Sequence, residues 1–346
     1  MTQEPLLIQA LQGKVTPRVP FWFMRQAGRY LPEYRHVRAT TQGFLDLCFT
    51  PKKAAEVTLQ PLRRFHMDAA ILFSDILVIP HGLGVDVSFA EGEGPRVGLC
   101  TTEAAIAALD LSTVRQKLEP VAETVRLVRQ DLPETAALIG FAGAPWTVAC
   151  YILQGKSGKE FQDARLFAIR SPELMQQLIK TLTDATIDYL RMQIDAGAQA
   201  IQIFDSWAGL LTPEEFARWV ITPTRTIVAA IKQSHPLIPI IGFAKGAATQ
   251  LSAYAATTDV HCIGVDQHTP MDYAIGARAH AHQAVQGNLD PLLIAGNKEA
   301  ALRQTEAILA SVTTTPCVFN LGHGFIPSTP IENVEAVAER ILAWRR

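Results

Sequence analysis

Eight short apolar runs, most of them followed by a segment with helical spacing, constrain the fold of this chain more than any other feature. Largely apolar runs of this length are typical of strands that are buried on both faces of a parallel sheet. The runs are Val19–Met24, Ala69–Ser74, Ala137–Ala142, Ala200–Phe204, Ile238–Ala244, Val260–Val265, Ala284–Asn288 and Cys317–Leu321. Eight β/α units in 346 residues predict an α/β fold, a single (β/α)8 TIM barrel that forms one domain over residues 1–346.

The segments between the runs have apolar residues at helical spacing. The clearest of them are Pro51–His66, Ser171–Ala196, Thr212–Ser234 and Asn297–Ser311. Ser171, Thr212 and Thr329 each precede a proline and are predicted to cap the helices that follow. The structural alternative is an open doubly wound sheet. Such a sheet often has a glycine-rich dinucleotide turn after its first strand, and this sequence has none there.

One stretch, Pro80–Gly98, departs from the β/α repeat. It is rich in glycine and alternates in part between apolar and polar residues, which predicts a β-hairpin inserted after the second strand. Insertions after barrel strands lie on the ligand face, so we expect this hairpin to act as a lid or a wall.

The composition excludes several classes of protein. The chain is 48% apolar and 18% charged, so it has enough apolar side chains for a large core and is not disordered. A net charge of −2 does not indicate general binding to nucleic acid. Five dispersed cysteines without a CxxC pair indicate a reducing, cytoplasmic compartment rather than a disulfide or zinc framework. No apolar stretch is long enough to span a membrane.

Polar residues follow most of the eight runs, at the strand ends where barrels of this type place their chemistry. They are Arg25, Gln26, Asp75, Gly143–Thr147, Asp205, Ser206, Lys245, Asp266–His268, Asn288–Asp290 and His323. Because Arg, Asp, His and Ser are concentrated there, we expect an active site at this end of the barrel.

A cluster of arginines follows the first run, within and just after the stretch Pro20–Arg35. Arg25 and Arg29 flank Gly28, and Arg38 follows soon after. Guanidinium groups pair bidentately with carboxylates and phosphates and remain charged at any working pH, so the cluster suits a ligand with several such groups. The alternative is that these arginines pair with the protein's own acids.

Four further side chains allow both a functional and a structural interpretation. Asp75, among apolar neighbours, is either a fixed anion for positive charge on a substrate or a partner of the loop arginines. His323, between two glycines, is either a neutral donor to a ligand or a histidine packed in a turn. Tyr151 either reaches a ligand carboxylate or belongs to the core. Ser206 is either a donor to a ligand or a cap of its own loop.

The motifs MRQAGRYLPEYR, FSDIL, GFAGAPWT, FDSWAG and NLGHG occur in this order along nearly the whole chain. In these motifs the sequence resembles the uroporphyrinogen decarboxylase family. The resemblance implies a (β/α)8 barrel that works as a homodimer without a metal or an organic cofactor. It also implies removal of the four acetate carboxyl groups of uroporphyrinogen III as CO2, which gives coproporphyrinogen III on the route to haem and chlorophyll.

The same resemblance assigns the site residues of the catalytic domain. The substrate-binding loop would consist of Arg25, Gln26, Ala27, Gly28 and Arg29, with Arg38 nearby. Asp75 would contact the pyrrole N–H groups, and Tyr151, Ser206 and His323 would bind other polar groups of the substrate. Asp75, Arg25 and Arg29 are the expected catalytic residues, and one of the two arginines is a candidate for relaying the proton.

Two other functions remain open from the sequence. The first is a corrinoid or thiol methyltransferase of the same barrel superfamily, which binds zinc through a His-x-Cys pair and a later cysteine. Here His261 and Cys262 are adjacent, and adjacent side chains of a strand point to opposite faces, so they are poorly placed to share a metal even with Cys317. The second is a tetrapyrrole carrier, which has no evident need for a buried acid such as Asp75.

Overall fold

The structure is a computed structural model that describes residues 4–90 and 94–346. The strands of this part are β1 (Ala69–Ile71), β2 (Val87–Ala90), β3 (Gly94–Val97), β4 (Ala137–Gly143), β5 (Ala200–Asp205), β6 (Ile240–Ala244), β7 (Cys262–Gly264), β8 (Ala284–Leu289) and β9 (Cys317–Leu321). Seven of them form one parallel sheet in the order β1-β4-β5-β6-β7-β8-β9. The fold is therefore mixed α/β with a parallel sheet, as the buried apolar runs predicted.

The helices follow and precede these strands along the chain. The α-helices of the described ranges are α1 (Leu6–Leu11), α2 (Pro32–Ala39), α3 (Phe44–Cys48), α4 (Pro51–Phe65), α5 (Val78–Gly82), α6 (Glu103–Ala107), α7 (Val114–Asp131), α8 (Pro145–Gln154), α9 (Gln162–Arg170), α10 (Pro172–Asp195), α11 (Pro213–Phe216), α12 (Thr222–Ser234), α13 (Leu251–Thr258), α14 (Met271–Gly276), α15 (Pro291–Gly296), α16 (Lys298–Ser311) and α17 (Ile331–Ala343). Short 3-10 helices lie at Leu111–Thr113, Lys159–Phe161, Ala208–Leu210 and Ala248–Gln250. Among these helices, none is both long and apolar enough to cross a membrane.

The first predicted strand, Val19–Met24, is not assigned as a strand and forms one isolated parallel bridge, Phe21 with Phe319. Its backbone nevertheless lies between the two edges of the sheet. On the β9 side, the N–H of Phe319 donates to the carbonyl of Pro20 at 2.8 Å. On the β1 side, the N–H of Asp68 donates to the carbonyl of Phe21 at 3.0 Å. A regular ladder fails because Pro20 has no N–H and the N–H of Phe21 donates to the Asp68 side chain at 2.9 Å.

The stretch predicted as a hairpin, Pro80–Gly98, contains an antiparallel pair, β2 with β3, in which Val87 faces Val97. Its first residues differ from the prediction, because Pro80, His81 and Gly82 lie in α5. Residues 91–93 lie outside the described residues.

The predicted caps are correct at one of three helices. Thr212 and Glu215 form a capping box at the start of α11. Ser171 makes no cap hydrogen bond at α10, and α17 begins after Pro330. Thr329 therefore lies one residue before the cap position, and its hydroxyl donates to the carbonyl of Ile326 at 2.8 Å.

The helix predicted over Thr212–Ser234 is continuous but irregular. A π-helical segment, Ala217–Ile221, joins α11 to α12. Pro223 follows it and has no N–H for the regular hydrogen-bond pattern, and the Thr222 hydroxyl donates to the carbonyl of Ala217 at 2.9 Å. A proline is a common cause of such a local change of register.

The amino end of the sheet is closed by side chains. Leu7 and Leu11 of α1 belong to one buried cluster with Trp22, Ile139 and Ile241. The large core of the remaining helices packs outside the sheet. Since the amino end is filled, the open end for a ligand is the carboxyl end of the strands.

Candidate active site

The loop after Met24 is anchored by the side chain of Gln26. This amide is fully buried; it accepts from the N–H of Phe23 at 3.2 Å and donates to the carbonyl of Ala69 at 3.2 Å. The Tyr30 hydroxyl also donates to the Gln26 carbonyl at 2.8 Å. The side chain of Gln26 therefore holds the loop to β1, and its two polar atoms are used by the protein itself.

Arg25 occupies a strained position at the start of this loop. Its φ is 58°, in the left-handed region that costs a residue with a side chain about 1 kcal/mol or more. Gly324 packs against its aliphatic stem, because a Cβ at that position would collide with Cδ of Arg25. Arg25 and Arg29 are exposed, while Ala27 and Gly28 between them are half-buried. The backbone thus presents two guanidinium groups on one short loop.

The arginines of the cluster have different roles. Arg35 donates to the carbonyls of Arg29 at 2.7 Å and of Tyr30, so it fixes the loop backbone. Arg18 forms a two-pronged ion pair with Asp68, both contacts at 2.7 Å, and is therefore structural.

Three guanidinium groups of the cluster remain without an acidic partner among the described residues. Within 4.0 Å, residues 4–90 and 94–346 offer no carboxylate to Arg25, Arg29 or Arg38. Arg38 is half-buried and donates to the Thr41 hydroxyl at 3.0 Å. Among the described residues, the alternative that these arginines pair with the protein's own acids is therefore wrong for these three.

Asp75 follows β1 in a half-buried position. Burial raises the pKa of its carboxyl group, while the N–H of Leu77, at 2.9 Å from Oδ1, and the charge of Arg25 lower it. Burial is the main cause of the raised pKa of the Cys48 thiol and of the Tyr189 hydroxyl, and the charge of Asp75 contributes to both. A single acid therefore stands among groups that remain neutral.

The charges of Arg29 and Arg38 act on buried side chains of the same region. Burial raises the pKa of Tyr34 to about 12, and the charges of Arg38 and Arg29 oppose that rise. Arg38 also lowers the pKa of Cys48, which Asp75 raises. Arg29, Arg38 and Asp75 are thus close enough to act on two adjacent buried side chains.

Aromatic rings form a wall of the site. The Tyr151 ring of α8 meets Phe161 edge to face at 5.0 Å between centroids, and Phe161 meets Trp207 at 4.8 Å. Burial raises the pKa of the half-buried Tyr151, the indole N–H of Trp207 lowers it, and smaller effects come from Asp75 and Arg25. Tyr151 is therefore a neutral hydroxyl near both charges.

The loop after β5 is held by a chain of short hydrogen bonds. Thr147 donates to Oδ1 of Asp205 at 2.5 Å and accepts from the N–H of Trp207 at 3.1 Å. Asp205 is 2% exposed, and its Oδ2 is buried with no hydrogen-bond partner among the described residues. Burial raises the pKa of this carboxyl group to about 7.

The hydroxyl of Ser206 lies between these two anchored residues. It is half-buried, and the part of the chain that the structure describes offers it no hydrogen-bond partner. The alternative that it caps its own loop is therefore wrong.

The sequence marked Thr147 and Asp205 as strand-end residues but not as a connected pair, because a contact over 58 positions has no local signal.

His323 follows β9 and is half-buried. Burial, followed by the charges of Arg25 and Lys245, lowers its pKa to about 4, and the charge of Asp266 opposes them. The imidazole is neutral at pH 7 and has one ring N–H to donate. The charge of Arg25 therefore acts on Asp75, Tyr151 and His323 alike, which indicates that these side chains share one site.

The residues of the zinc-dependent alternative lie elsewhere. Cys262 and Cys317 are the first residues of β7 and β9, at the amino ends of the strands. His261 accepts from the N–H of Ile240 at 3.0 Å through Nδ1. In the ranges 4–90 and 94–346, no three His, Cys, Asp or Glu side chains are grouped in a way that suits a metal ion.

Comparison with known proteins identifies the family. The family model described as uroporphyrinogen decarboxylase (URO-D) matches residues 2–344. The chain belongs to the uroporphyrinogen decarboxylase family. This confirms the resemblance seen in the motifs and the expectation of a carboxy-lyase.

Curated relatives match this chain over nearly their full length and bear the same family name. A uroporphyrinogen decarboxylase of Granulibacter bethesdensis is 51% identical, with 95% of this chain and 96% of the relative covered. Those of Rhodospirillum rubrum and Chelativorans sp. are each 48% identical, with 99% of this chain and 98% and 99% of the relatives covered.

Solved structures share the fold at low identity. A methyltransferase from Methanosarcina mazei superposes with a TM-score of 0.82 at 18% identity, with 98% of each chain covered. A B12-independent methionine synthase from Shewanella sp. W3-18-1 superposes with a TM-score of 0.57 at 11% identity, with 96% of this chain and 98% of that chain covered. These likenesses concern the fold, while the three relatives described above, at 48–51% identity, are named uroporphyrinogen decarboxylase. The methyltransferase alternative is therefore less supported.

Proposed function

We propose that this chain removes the four acetate carboxyl groups of uroporphyrinogen III as CO2 and produces coproporphyrinogen III, without a metal or an organic cofactor. The family match and the full-length relatives support this assignment. In this role the protein belongs to the biosynthesis of haem and related tetrapyrroles.

The observation that supports the proposal most directly is the surroundings of Asp75. The acid is half-buried, is influenced by Arg25, and has no ion-pair partner within 4.0 Å among the described residues. Neutral hydroxyl and thiol groups surround it. A carboxylate placed in this way stabilises positive charge that develops on a bound ligand.

The chemistry needs such a charge. Protonation of a pyrrole ring carbon produces a cation that is delocalised onto the ring nitrogen. The bond between the acetate methylene and its carboxyl group then breaks, CO2 leaves, and the electron pair neutralises the cation. A proton adds to the exocyclic carbon while the ring carbon loses its own, so each step consumes one proton and leaves a methyl group. Asp75 would hold the pyrrole N–H groups and stabilise the cation.

The other side chains bind and orient the substrate in this proposal. Arg25, Arg29 and Arg38 bind carboxylates through their guanidinium groups, and Arg25 or Arg29 relays the proton. The uncharged donors are Tyr151, Ser206 and His323, which bind the remaining polar groups. Gln26, Ala27 and Gly28 form the substrate-binding loop, in which the buried Gln26 amide acts as a positioning group.

The test is anaerobic incubation of the purified protein with uroporphyrinogen III, followed by separation of the products by carboxylate number. We expect products with seven, six, five and finally four carboxylates. A protein that binds the substrate tightly but releases no CO2 would be a carrier, and the proposed activity would be wrong.

We also propose that the sheet is a complete (β/α)8 barrel in one catalytic domain over residues 1–346. The hydrogen bonds of Pro20 and Phe21 to both edges of the sheet support Val19–Met24 as the eighth strand. The pair of β2 and β3 is then the hairpin inserted after the second barrel strand. Backbone hydrogen exchange tests this: the N–H of Phe319 should be as protected as the interior of β4.

We further propose a cytoplasmic homodimer that binds neither nucleic acid nor membrane. The five buried, unpaired cysteines support a reducing compartment, and the net charge of −2 gives no general attraction to nucleic acid. The dimer rests on the family resemblance. Sedimentation velocity at micromolar concentration tests it, and a monomer over the whole range would contradict it.

A further inference from the structure

Lys245 is the first residue after β6, and its backbone is fixed on both sides. Its N–H donates to the carbonyl of Asp205 at 3.0 Å, and its carbonyl accepts from the N–H of Gly209 at 2.9 Å. The loops after β5 and β6 pack tightly, since a Cβ on Gly209 would lie 2.6 Å from the carbonyl oxygen of Gly246. Lys245 is therefore placed by the strands rather than by a mobile loop.

The ammonium group of Lys245 has no acidic partner in the part of the chain that the structure describes. The side chain is half-buried, and across the described ranges no carboxylate lies within 4.0 Å of it. Its Nζ lies 5.9 Å from the centre of the Trp207 ring, a weak cation–π contact that leaves its three donors available. Its charge also contributes to the lowered pKa of His323, so it is close to the site.

Lys245 and the arginine loop lie on opposite sides of the site. The arginine loop follows the segment that hydrogen-bonds to β1 and β9, the two edges of the sheet. The strand that precedes Lys245, β6, is the fourth of seven and is three strands away from either edge. Arg25 and Lys245 nevertheless both act on His323. The cations therefore flank the imidazole from two directions.

We propose that Lys245 binds a carboxylate of the substrate that is not lost in the reaction, on the side of the macrocycle away from the arginine loop. This inference rests on the proposed function. Uroporphyrinogen has an acetate and a propionate on each of four rings, so its carboxylates surround the whole rim, and arginines on one side reach only some of them. The propionates persist through all four steps, so a contact with one of them is available to every successive substrate.

The test compares Lys245→Met with Lys245→Arg and with Lys180→Met, an exposed lysine on α10 that pairs with Asp184. For Lys245→Met we expect the KM to rise about tenfold for both the eight-carboxylate and the five-carboxylate substrate, with kcat nearly unchanged. One charge-assisted contact accounts for a change of that size. Lys245→Arg should recover most of the loss, and Lys180→Met should behave as the wild type.

Binding without turnover gives the same comparison. Coproporphyrinogen III, which retains only the propionates, should bind Lys245→Met about tenfold more weakly than the wild type. The pKa of His323, followed by NMR in the absence of any ligand, should rise in Lys245→Met because one positive neighbour is removed. Equal urea midpoints of the variants would exclude a general loss of folding.

Several results would overturn the proposal. They are an unchanged KM, a KM that rises only for the eight-carboxylate substrate, a lower kcat at constant KM, or a His323 pKa that does not move. If the wild type itself released no CO2, the proposed function would fail. The binding of coproporphyrinogen III to the same variants would still decide whether Lys245 contacts a propionate.

Discussion

Burial raises the pKa of the Asp75 carboxyl group above its usual value, and the charge of Arg25 opposes that rise, although the two side chains form no ion pair within 4.0 Å. An ion pair in contact would neutralise the acid and use up the guanidinium group. Without such a contact Arg25 still favours the charged form of Asp75, and both groups remain available to a ligand. The same relationship explains why a cation and an anion persist side by side in this site.

Asp75→Asn should reduce turnover far more than binding. The amide keeps the shape and much of the hydrogen bonding but has no charge to stabilise the protonated pyrrole. Loss of one well-placed electrostatic stabiliser costs about 10²–10³ in rate, or roughly 3–4 kcal/mol. Steady-state kinetics with uroporphyrinogen III should show a lower kcat and a KM that changes little.

The control for this prediction is Asp272→Asn, an exposed acid in the first turn of α14. It should leave both constants unchanged. If Asp75→Asn folds normally, keeps its kcat and has only a raised KM, then Asp75 is a binding residue and the electrostatic mechanism is wrong.

Lysine in place of Arg25 or Arg29 should weaken activity although the charge is retained, because the planar fork that pairs bidentately is lost. Kinetics of the two variants should be compared with those of Arg303→Lys, an exposed arginine on α16. The apparent affinity of the wild type should also fall as ionic strength rises, if the cluster attracts the anionic substrate. Near-normal kinetics in both lysine variants would contradict the assigned role.

Much of the fold was predictable because buried strands are uniformly apolar. β9 begins and ends where the sequence predicted, while the first run, Val19–Met24, did not become a regular strand. Besides Pro20, which has no N–H, the reason is a tertiary contact, the Asp68 carboxylate that accepts from the N–H of Phe21 and from Arg18. A partner 47 positions away leaves no local pattern to find.

The candidate site was predictable as a set of strand-end residues, but the role of each was not. Gln26 and Arg25 are adjacent in the same motif, yet one is fully buried and the other exposed. The difference depends on the Ala69 carbonyl, which the Gln26 amide pairs with. Likewise, Lys245 was one polar residue among many until the structure showed that no acid of residues 4–90 and 94–346 lies against it.

Gln26→Leu should destabilise the protein and impair catalysis together. Leucine has a similar volume but leaves the N–H of Phe23 and the carbonyl of Ala69 without their partner, and each unpaired buried group costs about 1–3 kcal/mol. The free energy of unfolding, measured in urea, should therefore fall by about 1–3 kcal/mol for each of the two groups. Gln26→Glu provides a second variant, because it keeps the acceptor for Phe23 but places a charge in a buried position.

If Gln26 contacted the substrate instead of holding the loop, Gln26→Leu would raise the KM while leaving the urea midpoint unchanged. That result would contradict the positioning role argued from the two hydrogen bonds.

Asp205 should make the stability of the protein depend on pH. Burial raises the pKa of its carboxyl group to about 7. In the unfolded chain the pKa of an aspartate is about 3.9. Between these values the folded state binds more protons, so this contribution to stability is fully present below about pH 4 and is lost as the pH rises through about 7. The loss approaches about 1.4 kcal/mol per pH unit within that window.

Asp205→Asn removes the titrating proton but keeps an oxygen that accepts from Thr147, so the variant should lack this pH dependence. The free energy of unfolding of the wild type and of Asp205→Asn should be measured in urea at pH 5, 6, 7 and 8. We expect the wild type to lose stability relative to the variant as the pH rises, because an ionised Asp205 has an unpartnered Oδ2 in a buried place. A constant difference between the two proteins over this range would show that Asp205 is ionised throughout, and that an unseen partner satisfies Oδ2.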